Sequence, residues 1–113
     1  MSQPQPQPLP VTDIDRAIAF YRGLIDFEVR HHNEDFALLT LGTQSLELWR
    51  TDEPTGMPRT GRIRVEDAES AYAHCELQQV PRTDFRRRGW GTWEFTVLDP
   101  DENRLTIYSM VVT

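Results

Sequence analysis

The chain reads as an α+β domain in which two βαβββ repeats pair into one cleft-forming mixed sheet. Three observations predict this. Two segments at the start of each half match at a constant spacing, and two longer segments further on do the same. Apolar and polar residues alternate along the second pair, as expected of half-buried strands. At 113 residues the chain supports one modest core, so two such units must share it.

The elements follow in order. Residues 1–9 form a Gln/Pro-rich arm (MSQPQPQPL) that favours an extended, polyproline-like path. Residues 10–113 form a single domain, with repeat units of about 10–53 and 60–113. Val11 to Tyr21 has its counterpart 54 residues later, in Val65 to Cys75. Each is a strand end, a capping residue (Asp13 or Thr12 in the first, Asp67 in the second) placed to accept from a helix's first turn, and then a helix. Ile14, Ala17, Ile18 and Tyr21 share one helical face, as do Ala68, Ala71, Tyr72 and Cys75. Phe36 to Trp49 lies over Phe95 to Tyr108 without a gap, at a spacing of 59, and each reads strand, turn, strand. The five-residue difference between the spacings falls in the 78–89 stretch.

Composition narrows the function. A net charge of −6 argues against a phosphate backbone as partner and favours the approach of a cationic small molecule. Arg86-Arg87-Arg88 reads as a solvated basic loop. No apolar run is long enough to span a membrane, and no secretory signal opens the chain. The lone Cys75 excludes an internal disulfide, so a reducing cytoplasm is expected. As part of the helix face that packs on the sheet, Cys75 reads as an inert buried thiol.

If Leu46 and Leu48 pack under a helix, Glu47 and Trp49 face the cleft, and by the same parity Thr106 and Tyr108 do so from the second unit. Trp49 and Tyr108 then either stack a flat ligand with Glu47 beside it, or fill a small barrel-like interior. His31 and His32 are adjacent in a strand and point to opposite faces, so they read as exposed residues rather than paired ligands. His74 reads as structural.

The stretches Pro10 to Arg22, Phe27-Glu28-Val29 and Trp90 to Asp101 resemble the vicinal oxygen chelate superfamily of glyoxalases, dioxygenases and bleomycin resistance proteins. Two turn positions depart from it. Asp26 stands where a helix-ending glycine is usual, implying a left-handed aspartate, and Glu102 stands where the last turn has glycine. The resemblance implies metal-ligand positions at Pro6, Glu47, Thr60 and Thr106, of which only Glu47 is a plausible donor. A register shift of one residue adds Gln7 or Arg59, and of these only Gln7 could ligate. No cofactor or catalytic residue is therefore expected, and an enzyme with an atypical site built on Glu47 and Gln7 is the alternative. A non-catalytic interaction domain, its cleft plugged by Trp49, Tyr108 and Trp90, is a third reading. Bleomycin-binding members carry an Asp-Phe pair and a Trp-Gly pair, matched here by Asp35-Phe36 and Trp90-Gly91. The resemblance thus implies stacking by Phe36 and Trp90, with Trp93 as a secondary candidate and Asp35, Glu47 and Glu94 as cation partners. It also implies a homodimer that exchanges the residue 2–10 arm, and an aromatic or cationic antibiotic as ligand.

Overall fold

The computed structural model describes residues 7–52 and 59–111. The first unit runs β1 (Gln7–Val11), α1 (Ile14–Leu24), β2 (Glu28–His32), β3 (Phe36–Leu41) and β4 (Gln44–Arg50). The second runs β5 (Thr60–Arg64), α2 (Ala68–Leu77), β6 (Arg86–Arg87), β7 (Thr92–Leu98) and β8 (Arg104–Met110). Both are βαβββ, and each makes its own four-stranded mixed sheet, in the orders β1-β4-β3-β2 and β5-β8-β7-β6. The parallel pairs, β1 with β4 and β5 with β8, are those whose connection includes the helix. No helix among the described residues is long and apolar enough to cross a membrane.

Both helices start as their sequences predict. Asp13 accepts from the Arg16 N–H at 3.0 Å, and Asp67 accepts from the Ser70 N–H at 3.1 Å and the Ser70 hydroxyl at 2.8 Å. Their ends differ from expectation. Helix α1 leaves through an extended Ile25, whose N–H reaches the Tyr21 carbonyl, and Asp26 is not left-handed. The left-handed residue instead closes α2. Gln79 (φ 57°) donates to the Glu76 carbonyl and Val80 to that of Cys75, a Schellman ending made without glycine. Glu102 also takes a positive φ, 67°, in the last turn, which Asp99 holds by accepting from the Asp101 and Asn103 N–H groups.

Alternation decides the core. Leu46, Leu48, Leu105 and Ile107 are fully buried on the helix side, with Ala17 and Tyr21 of α1 and Cys75 of α2 in the same cluster. Burial pushes the Cys75 thiol up, against the opposing charge of Arg82. A polar knot ties the units together inside this core. The Tyr21 hydroxyl donates to Asp99 at 2.5 Å, and the Asn103 side chain donates to Asp99 at 2.9 Å and to the Pro10 carbonyl at 2.7 Å. Burial first, then the negative charge of Asp99, lifts the Tyr21 hydroxyl far above its ordinary range.

The seam between the sheets lies at β1 and β5, and its chemistry explains why they do not pair backbone to backbone. The carbonyl of Val11 accepts from Thr51 beyond β4, whereas that of Pro10 accepts from Asn103 across the seam. By alternation, Pro8 and Pro10 occupy the seam-facing phase of β1, where proline has no N–H to donate. Side-chain amides substitute. Gln7 accepts from the Arg62 N–H and donates to the Arg62 carbonyl, and Gln44 does the same at Arg64. Gln7, Pro8 and Leu9, the last three residues of the Gln/Pro-rich arm, are thus strand residues here, paired with Leu46, Glu47 and Leu48. Residues 1–6 lie outside the described residues, and with them the implied metal position at Pro6.

Candidate functional site

The sheet faces opposite the helices form an open wall, and the two units furnish it differently. On β3 and β4, Phe36 and Trp49 are register partners whose rings meet edge to face, with centroids 4.9 Å apart. Trp49 remains 50% exposed, and its indole N–H donates to the Glu47 carboxylate at 3.0 Å. A ring edge, an open indole face and a carboxylate therefore lie within one patch, fit to take a flat group carrying positive charge. Asp35 opens β3 beside this patch, ion-paired to Arg50 at 2.9 Å.

The second unit presents cations. Arg62 of β5 lies over the Tyr108 ring, 4.5 Å from its centroid, and 3.4 Å from the Glu94 carboxylate. Arg88 approaches the other oxygen of Glu94 at 3.4 Å, and the Thr92 hydroxyl donates to that same oxygen. Glu94 is only 6% exposed, so two guanidinium groups already balance a nearly buried charge. Thr106 is half-buried, with its hydroxyl 2.9 Å from that of Thr96.

Of the residues singled out by sequence, Phe36, Glu47 and Trp49 come together on one wall, and Glu94, Thr106 and Tyr108 on the other. Trp90 stands 67% exposed at the tip of the β6–β7 hairpin, with Arg88 over its ring, and Gly91 behind it takes a φ of 100° that favours glycine. Trp93 points to the helix side, because it shares the parity of Phe95 rather than Glu94. There it stacks flat on Phe85, with centroids 5.3 Å apart. The Arg86-Arg87-Arg88 run is not a free loop, since its first two residues form β6 and the third holds Glu94. Arg62 was missed, although Thr60, Arg62 and Arg64 alternate with the buried Gly61 and Ile63, a signal that placed it on the wall.

At the implied metal-ligand region, Glu47 faces Pro8 across β1 and Thr106 faces Arg62 across β5. Among the described residues, no three His, Cys, Asp or Glu side chains converge as a metal site would require. His31 and His32 are exposed at the end of β2, and His74 donates through Nε2 to the Gly23 carbonyl at 2.7 Å.

Comparison with known proteins adds a family to this geometry. The family model described as the Glyoxalase/Bleomycin resistance protein/Dioxygenase superfamily matches residues 5–107. The bleomycin resistance protein of Geobacillus stearothermophilus is 26% identical over 123 aligned residues, which cover 91% of this chain and 93% of that protein. A crystal structure of a bleomycin-binding protein complexed with bleomycin superposes with a TM-score of 0.77 at 22% identity, covering 96% of this chain and 98% of that one. Lactoylglutathione lyase from Agrobacterium tumefaciens superposes with the same TM-score at 21% identity, covering 96% of this chain and 94% of its own. These superpositions establish the fold, and because two differently named proteins fit it equally, they leave the choice of function to the residues.

Proposed function

Because the chain belongs to the Glyoxalase/Bleomycin resistance protein/Dioxygenase superfamily, we propose that it captures a flat, cationic antibiotic of the bleomycin type without chemistry and so confers resistance. The observation that carries this reading is the exposed Phe36–Trp49 pair with Glu47 beside it. Stacking supplies the binding area and the carboxylate pairs the charge. The 26% identical bleomycin resistance protein supports the same ligand class.

Two chains pair wall to wall in this reading, so that the Trp90 hairpin tip of one closes over the aromatic patch of its partner. Capture then needs no metal. An enzyme built on Gln7 and Glu47 is disfavoured by what those groups already do. The Gln7 amide is engaged at both ends by the Arg62 backbone, and Glu47 accepts from Trp49.

Tryptophan fluorescence tests the proposal. Bleomycin at micromolar concentration is expected to quench emission saturably, and Trp49→Ala and Trp90→Ala are each expected to weaken binding. No quenching, or affinity in both variants equal to that of the parent, would overturn it. Sedimentation with and without bleomycin reads the dimer.

A further inference from the structure

A hollow of about 580 Å³ opens on the second unit's wall, where β5, β8 and β7 run beside residues 81–83. Arg104 lines it, together with Thr60, Thr83, Thr96 and Thr106, while Arg82, the bridge partner of the buried Val97, turns its guanidinium to the helix side. No Asp or Glu is among its described lining residues, although acidic residues outnumber basic ones 18 to 12 in the chain. The charged lining of this hollow, Arg104, is therefore opposite in sign to the net charge of the molecule, and a concave shape concentrates its effect.

On the wall itself, threonine donors face no acceptor. The Thr83 hydroxyl oxygen accepts from the Thr96 N–H at 2.8 Å, which leaves its own hydrogen to donate. Thr96 and Thr106 share one hydrogen between their oxygens, so one of the pair keeps a free O–H. The Arg82 guanidinium is taken up on the helix side, donating to the Val80 carbonyl, pairing with Glu76 at 3.4 Å and lying over the Tyr72 ring, with its Nε buried without a partner. Among the described residues, Arg104 has no carboxylate within ion-pair distance. Pro81 and Leu98 supply apolar lining between these donors.

We infer that this hollow binds a small organic oxyanion, a carboxylate or phosphate carried on a compact apolar body, through Arg104 and the free threonine hydroxyls. The apolar lining and the volume favour an organic anion over an inorganic one. The site is separate from the Phe36–Trp49 patch, and it shares only Thr106 with the residues considered for antibiotic capture.

The test titrates the full chain with benzoate and with phenyl phosphate, followed by calorimetry and by backbone amide shifts, with benzyl alcohol as the uncharged control. At least one of the two anions is expected to bind saturably at millimolar concentration, and the stronger one names the headgroup. Benzyl alcohol is expected not to bind, and the shifts are expected to centre on Thr83, Thr96 and Thr106. Arg104→Gln is expected to weaken binding about tenfold, while Arg104→Lys, which keeps the charge, recovers part of the loss. Circular dichroism melts of both variants verify that they fold. Absence of saturable binding by both anions, unchanged affinity in Arg104→Gln, equal binding of benzyl alcohol, or shifts centred elsewhere would each overturn the site.

Discussion

The two repeat units share a core and differ in their walls. On the helix side, repeat mates are interchangeable in kind: Leu46 and Leu105 are both fully buried, as are Leu48 and Ile107. On the open side, Glu47 is matched by Thr106, Trp49 by Tyr108, and Pro8 by Arg62, so one wall is aromatic and acidic and the other is rich in arginine and threonine. The constraint of burial keeps shape and hydrophobicity alike in both halves. A solvent-facing position carries no such constraint, and there a duplicated scaffold is free to acquire two chemistries.

The largest effect expected concerns the shared core. Leu46→Ala and Leu105→Ala are each expected to cost about 2–5 kcal/mol in urea unfolding, and a loss confined to one of them would break the equivalence of the halves. Next comes the wall contrast. Glu94→Gln removes the charge that two arginines surround, and is expected to cost about 2 kcal/mol, whereas Glu47→Gln on the open patch is expected to change stability little. Comparable losses in thermal melts of the two variants would remove the distinction between a carboxylate held by two arginines and one on the open patch.

A smaller effect depends on pH. The Ser70 hydroxyl, and then the Ser70 N–H, hold the Asp67 carboxyl below its ordinary range. Its contribution is therefore present at neutral pH and is lost as acid carries the pH down through the lowered folded value. The stability gap between the parent and Asp67→Asn is expected to be full at neutral pH and to close in strong acid, which melts across a pH series will read. The smallest stability change is expected for Trp90→Ala, within about 0.5 kcal/mol, because the ring is mostly exposed. Its consequence is expected in bleomycin quenching instead.

Much of this was legible in the letters. The helix starts at Asp13 and Asp67 and the burial of alternate strand residues follow from local chemistry and period alone. So does the placing of Glu47, Trp49, Thr106 and Tyr108 on the open faces. What escaped the reading depends on contacts between distant segments. Nothing near Tyr21 announces that its hydroxyl meets Asp99, 78 positions away. Likewise, Arg88 sits in a run that looks solvated until β7 folds back and places Glu94 beside it. Trp93 shows the reverse case, since its parity with Phe95 already assigned it to the helix side, where Phe85 covers it. The helix ends were hardest, because Asp26 and Gln79 are both able to turn left-handed and only the packing beyond them selects one.

The seam has a further consequence for how the molecule behaves in a crowd. A strand edge with open N–H and C=O groups is a template on which a foreign chain can add itself, and β5 would offer such an edge at Arg62 and Arg64. Gln7 and Gln44 occupy those groups with short side-chain amides that end the ladder instead of extending it. On the facing strand, Pro8 and Pro10 remove the donors that an incoming strand would need. Gln7, Pro8 and Pro10, with Gln44 of β4, thus act as a guard against self-templated aggregation.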